Sequence, residues 1–279
     1  MTNNKVNSRI PQPNYDKDVD KIVKVYQSAL RDIQAEMTDV LLDDFRRGML
    51  ASYEAQLRAI ISELDGKAIA MTTELIEKAA TNGIADTLMA LGYAETYKQA
   101  QAMATFGALN KPFIDAVIMD TQTDLLAITA NTERKTRQVV RQAIADAMRE
   151  TYAKGGGKGA DLTREALKKL KDEANLAIID AAGRKWKLET YVKMAVHTKS
   201  MHAHRQAAIN EGIEDGAYYG IISSHNAKDA CRHYEGKIVK LTDSADGDYQ
   251  FIGDIPRSSL FHPFCKHLVT PIRNPERYE

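Results

Sequence analysis

The chain has 279 residues, with 38 basic and 38 acidic side chains and therefore no formal net charge. That balance excludes a global positive field drawing the protein onto nucleic acid or an anionic membrane, so any such contact must be local. The length suffices for two domains with real cores. No window approaches the roughly 18 uninterrupted apolar residues of a membrane span, which predicts a soluble protein.

Residues 1–15 read as a disordered tail, polar and carrying Pro11 and Pro13, with neither the apolar core of a signal peptide nor an Arg-rich transit pattern. This predicts a protein made and kept in a cytosol. Residues 16–153 are predicted to be helical, because proline is confined to Pro112 in this stretch. From Val19 the apolar positions Ile22, Val23, Tyr26, Leu30, Ile33, Met37, Leu41 and Phe45 recur every three or four residues, as one helical stripe does. The spacing resumes at Leu50, Tyr53, Leu57, Ile60, Ile61 and Leu64, and Asp65-Gly66 is expected to interrupt it. Shorter helices should follow, punctuated by Asn82-Gly83 and Gly92. Pro112 marks the first turn of another long helix with the stripe Ile114, Val117, Ile118, Leu125 and Ile128. Asn131-Thr132 then reads as a cap before Val139, Val140, Ala143 and Ile144. An antiparallel helical bundle or an elongated helical arm fits these alternating faces.

Residues 154–160, with three consecutive glycines, read as a linker. They are unlike a phosphate-binding loop, since the Ser or Thr that should follow the lysine is missing after Lys158 and no strand precedes them. Residues 161–279 should lead through two helices, one capped by Asp161 or Thr163 and one from Trp186 to Gly212, into a small α+β domain. Basic residues from Lys168 to Arg205 predict at most a weak, salt-sensitive contact with DNA. After Gly212, Tyr218–Ile222 and Lys237–Leu241 are short apolar runs bounded by Gly, Asp and Ser, as strands are.

That last domain holds both cysteines and four of the seven histidines. If Cys231 and His233 lie on extended chain, two residues apart, they share a face, and so do Cys265 and His267. With His262, they offer two thiolates and two or three imidazoles, which are ligands suited to tetrahedral zinc. His225 is a further candidate. The alternatives are buried thiols that only pack, a disulfide between Cys231 and Cys265, and a thiol nucleophile. Glu235 is an acid placed to act as a base, with no partner evident from the sequence.

Trp186, Tyr191, Met194-Ala-Val-His197-Thr198, Ser223-Ser224-His225, Tyr234-Glu-Gly-Lys-Ile-Val239 and Phe261-His-Pro-Phe-Cys-Lys-His267, in that order, resemble the tailed-phage minor capsid protein 2 family. That family is similar in its closing motif to Mu-type head morphogenesis proteins. The likeness spans roughly the last 95 residues. An Asn and an Arg commonly flank the cysteine in that family, where this chain has Phe264 and Lys266.

The resemblance implies a low-copy virion protein and no established enzyme activity. It would act in head assembly, and in DNA packaging or ejection, beside the portal protein and inner capsid, and would reside in the host cytoplasm during assembly. The competing reading is a virion-carried metal-dependent nuclease or nucleotide-modifying enzyme.

Overall fold

A computed structural model describes residues 10–42, 47–153, 178–179 and 185–278. Among these the helices are α1 (Asp16–Leu42), α2 (Arg47–Ala90), α3 (Tyr97–Met103), α4 (Asn110–Ala153) and α5 (Leu188–Glu214). Two-residue strands β1 (Ile178–Ile179) and β2 (Lys185–Trp186) pair antiparallel before α5. After it, β3 (Tyr219–Ile222), β4 (Ile238–Lys240) and β5 (Val269–Ile272) form an antiparallel sheet in the order β4-β3-β5. The protein is thus mainly α, with a small α+β C-terminal region carrying the Cys/His groups. No described helix is long and apolar enough to cross a membrane. The Gly-rich stretch 154–160 and the helix expected from Asp161 lie outside the described residues.

Two expected breaks are absent. Helix α2 runs through both Asp65-Gly66 and Asn82-Gly83. A glycine inside a helix costs only about 1 kcal/mol, which the surrounding stripe overrides. At Gly83 the missing side chain is used: a Cβ there would sit 2.0 Å from the His204 carbonyl oxygen. The cap expected at Asn131-Thr132 is also absent, because α4 continues and the Thr132 hydroxyl donates to the Ile128 carbonyl one turn back. Helix α2 does stop before Gly92, whose φ of 83° suits glycine.

The chain divides into two units. One comprises Asp20–Met71 and Gln122–Lys193. Its core joins Ile33 and Met37 of α1, Tyr53, Leu57 and Ile61 of α2, and Val140 of α4. Their i, i+4 spacing in α1 and α2 is that of the predicted stripe. Arg141 also bonds Glu54 at 2.7 Å and holds its carboxyl below the usual range.

The other unit comprises Met1–Val19, Thr72–Thr121 and Met194–Glu279. Here the α2 and α5 backbones meet at Gly83, and Thr87 Oγ1 donates to the Ala208 carbonyl at 3.0 Å. Tyr15 approaches His204 Nδ1 at 2.7 Å, and the opposite ring nitrogen meets Asp86 at 2.8 Å. Burial keeps the Tyr15 phenol protonated. The sheet packs with Ile209 of α5 through Ile222, Val239 and Val269, around a core that includes Cys231 and Cys265.

Candidate metal centre

Hydrogen bonds at the end of β3 bring the two Cys/His loops side by side. The Ser223 N–H donates to the Leu268 carbonyl at 3.0 Å, and Leu268 N–H donates to Ser223 Oγ at 2.8 Å. Asp229 then caps a single turn of 3-10 helix, Ala230–His233, by accepting from the Cys231 N–H at 3.0 Å. This turn replaces the extended backbone expected there. Its winding separates Cys231, which is buried, from His233, which is exposed. The second loop folds through a Cys265 N–H bond to the His262 carbonyl at 2.9 Å. Phe261 and Phe264 both have φ of 63°. Left-handed backbone costs a bulky residue about 1 kcal/mol or more, so the loop holds His262 and Cys265 against local preference.

The Cys231 and Cys265 sulfurs lie 3.7 Å apart as free thiols. Ligand atoms of Cys231, His262 and Cys265 all fall within 4.8 Å of one another, so this group can hold a metal ion. His267 Nδ1 lies 3.3 Å from Cys265 Sγ, and its Nε2 meets Glu235 Oε1 at 3.2 Å. Glu235 Oε1 also accepts from the backbone N–H groups of His225 at 2.8 Å and Ala227 at 3.0 Å. Those bonds, the His225 N–H first, keep its carboxyl below the ordinary range. His225, Glu235 and His267 form a second group with ligand-bearing atoms within 4.8 Å, the two imidazoles 4.1 Å apart at their centroids. His262 Nε2 stands 3.2 Å from Asp229 Oδ2.

Of the five residues expected as ligands, the structure gathers Cys231, His262 and Cys265 and sets His267 against Cys265. His233 joins neither group. Burial, followed by Cys265 and Asp229, pushes the Cys231 thiol up to about 12, so without a metal it stays protonated. Burial first, then His225, pushes His267 down and favours neutral imidazole. If the Nε2 proton faces Glu235, Nδ1 keeps its lone pair for a thiol or a metal.

Sequence reasoning left Glu235 without a partner. Its partner is His267, 32 residues away, and no spacing rule reaches that far. Asp229 had a local signal, as a capping acid two residues before Cys231. The line Cys265, His267, Glu235 also has the order of nucleophile, base and orienting carboxylate. At 5% and 1% exposure, however, Cys265 and His267 offer a substrate no approach, and the arrangement suits ligation better.

A family model described as phage minor capsid protein 2 matches residues 13–273, extending well beyond the C-terminal motifs into the helical region. No curated protein and no solved structure matches the chain. With the motifs around Cys231 and Cys265 folded into one site, and a match running through nearly all the sequence, the chain belongs to the phage minor capsid protein 2 family, a family of virion components.

Proposed function

We propose that this minor capsid protein is a low-copy, portal-associated component that acts in head assembly and in DNA packaging or ejection, with its C-terminal domain stapled by one zinc ion. The observation that carries the first part is the family match over residues 13–273. The helical region meets the portal protein or the inner capsid, assembly takes place in the host cytoplasm, and any DNA contact is weak because the chain has no net charge. Quantitative mass spectrometry of purified virions, with cross-linking, tests this. Cross-links from residues 16–153 to the portal protein at a few copies per head are expected. Absence from the virion would overturn it.

The metal part is supported by the sulfur separation. Two sulfurs each about 2.3 Å from a tetrahedral zinc lie about 3.8 Å apart. The observed 3.7 Å fits that requirement, whereas a disulfide closes to about 2.05 Å. His262 supplies the third ligand and His267 the fourth, with Glu235 accepting the proton on the far side of the His267 ring, as carboxylates behind zinc-bound histidines do. The zinc stabilises the fold, holding loops whose sheet has strands of only three or four residues. Reduced protein purified without chelator should carry about one zinc per chain. His233→Ala should retain the metal, and His262→Ala should lose it. A metal-free, reduced protein with native near-UV circular dichroism would remove zinc from the proposal while leaving the capsid role intact.

A further inference from the structure

Beyond the capsid role, one face of α5 borders a cavity of about 580 Å³ that the zinc site does not use. Thr198, His202, Arg205, Gln206 and Ile209 line it from α5, at the three- and four-residue spacing of one helical face. Phe113 and Val117 of α4, Ile252 and Phe261 supply apolar walls, and Arg257 stands at an exposed position on the border.

The polar groups of this lining are incompletely satisfied. Arg205 is 5% exposed, and among the described residues its Nη1 has no hydrogen-bond partner. The guanidinium instead lies 4.4 Å over the Phe261 ring. Thr198 Oγ1 is likewise buried without a partner. A buried guanidinium nitrogen without an acceptor is costly unless something accepts from it. Lys199 is paired with Asp120, so the lining offers Arg205 and Arg257 no further acid, and the groups that favour the Arg205 charge are the Cys265 and Cys231 sulfurs behind it. Burial, helped by Arg205, Arg257 and Lys199, pushes His202 down to about 4. Its imidazole is therefore neutral and adds no third charge.

We propose that this cavity binds a phosphate monoester carrying an apolar or aromatic body, with the phosphate on Arg205, Arg257 and Thr198 and the body against Phe113, Val117 and Ile252. Two guanidinium charges match a dianion better than a carboxylate, and guanidinium donors suit phosphate oxygens. The volume lies within the range of small-molecule sites and exceeds what bare phosphate fills. Nucleoside monophosphates and 5′-phosphorylated DNA ends share this chemistry.

The test titrates full-length, reduced protein as purified without chelator by calorimetry at low salt with deoxyadenosine monophosphate, deoxyadenosine and inorganic phosphate. The monophosphate should bind at least tenfold more tightly than either of the others. Arg257→Glu, at an exposed position that does not threaten folding, should weaken it at least tenfold, and Ala116→Trp, which fills the cavity from an exposed helical position, should abolish it. A short oligonucleotide with and without a 5′-phosphate identifies the source: phosphate-dependent oligonucleotide binding indicates a DNA end, and monophosphate binding alone indicates a free nucleotide. Monophosphate binding undetectable at millimolar concentration, equal to that of deoxyadenosine, or unchanged in both variants overturns the proposal.

Discussion

The core of Ile33, Met37, Tyr53, Leu57, Ile61 and Val140 and the core around Cys231 and Cys265 solve the same problem with different means. The first is drawn from three long helices and contains apolar side chains and one tyrosine, so burial of area is its main support. The second packs Ile209 of α5 against strands of three or four residues, 3-10 turns and loops, and places two thiols inside its apolar cluster. Where regular elements are long, periodic apolar residues suffice. Where they are short, specific bonds must hold the backbone, and here they run from Ser223 to Leu268, from Asp229 to Cys231 and from Glu235 to His225, Ala227 and His267.

The largest expected effect sharpens that contrast. Chelation, or Cys265→Ser, should unfold the C-terminal domain, since structural zinc contributes about 10 kcal/mol or more of apparent folding energy. Near-UV circular dichroism should lose its C-terminal signal while far-UV helicity from the other core persists, and retention of both would break the contrast. Zinc uptake should also release protons and weaken as pH falls, because the Cys231 thiol is protonated in the metal-free protein. Leu57→Ala should cost about 3 kcal/mol in chemical denaturation, the usual cost of a cavity at a fully buried leucine, and leave zinc content unchanged.

A smaller loss is expected from Glu235→Gln, about 1–2 kcal/mol at pH 7, from weaker bonds to two backbone donors and His267. The folded carboxyl lies below its ordinary value, so its contribution is complete above that value and disappears as pH falls through the depressed one. The difference from the parent protein should therefore close in acid, and a difference that widens would contradict the assignment. The smallest effect is a gain. Phe264→Asn should stabilise by about 0.5 kcal/mol, because asparagine tolerates φ of 63° better than phenylalanine and the ring it replaces is 43% exposed, with a tilted contact to His197. Thermal melts of the zinc-loaded proteins measure it.

Helix type was legible from sequence because burial of a stripe is a local, repeating requirement: Tyr53, Leu57, Ile61 and Leu64 are buried as their spacing demands. The strands around Gly220 and Val239 were legible for a similar reason, as short apolar runs between turn residues. Residue types also marked Cys231, His262 and Cys265, which the fold gathers into a group that could hold a metal ion. Only tertiary structure decided that α2 passes through Gly83, because the reason is the α5 backbone more than a hundred residues away. It likewise turned His233 outward, paired Glu235 with His267, and left Arg205 Nη1 without a hydrogen-bond partner among the described residues, beside a cavity. Each of those outcomes depends on which distant segments meet, and a sequence pattern carries period and composition but no such distances.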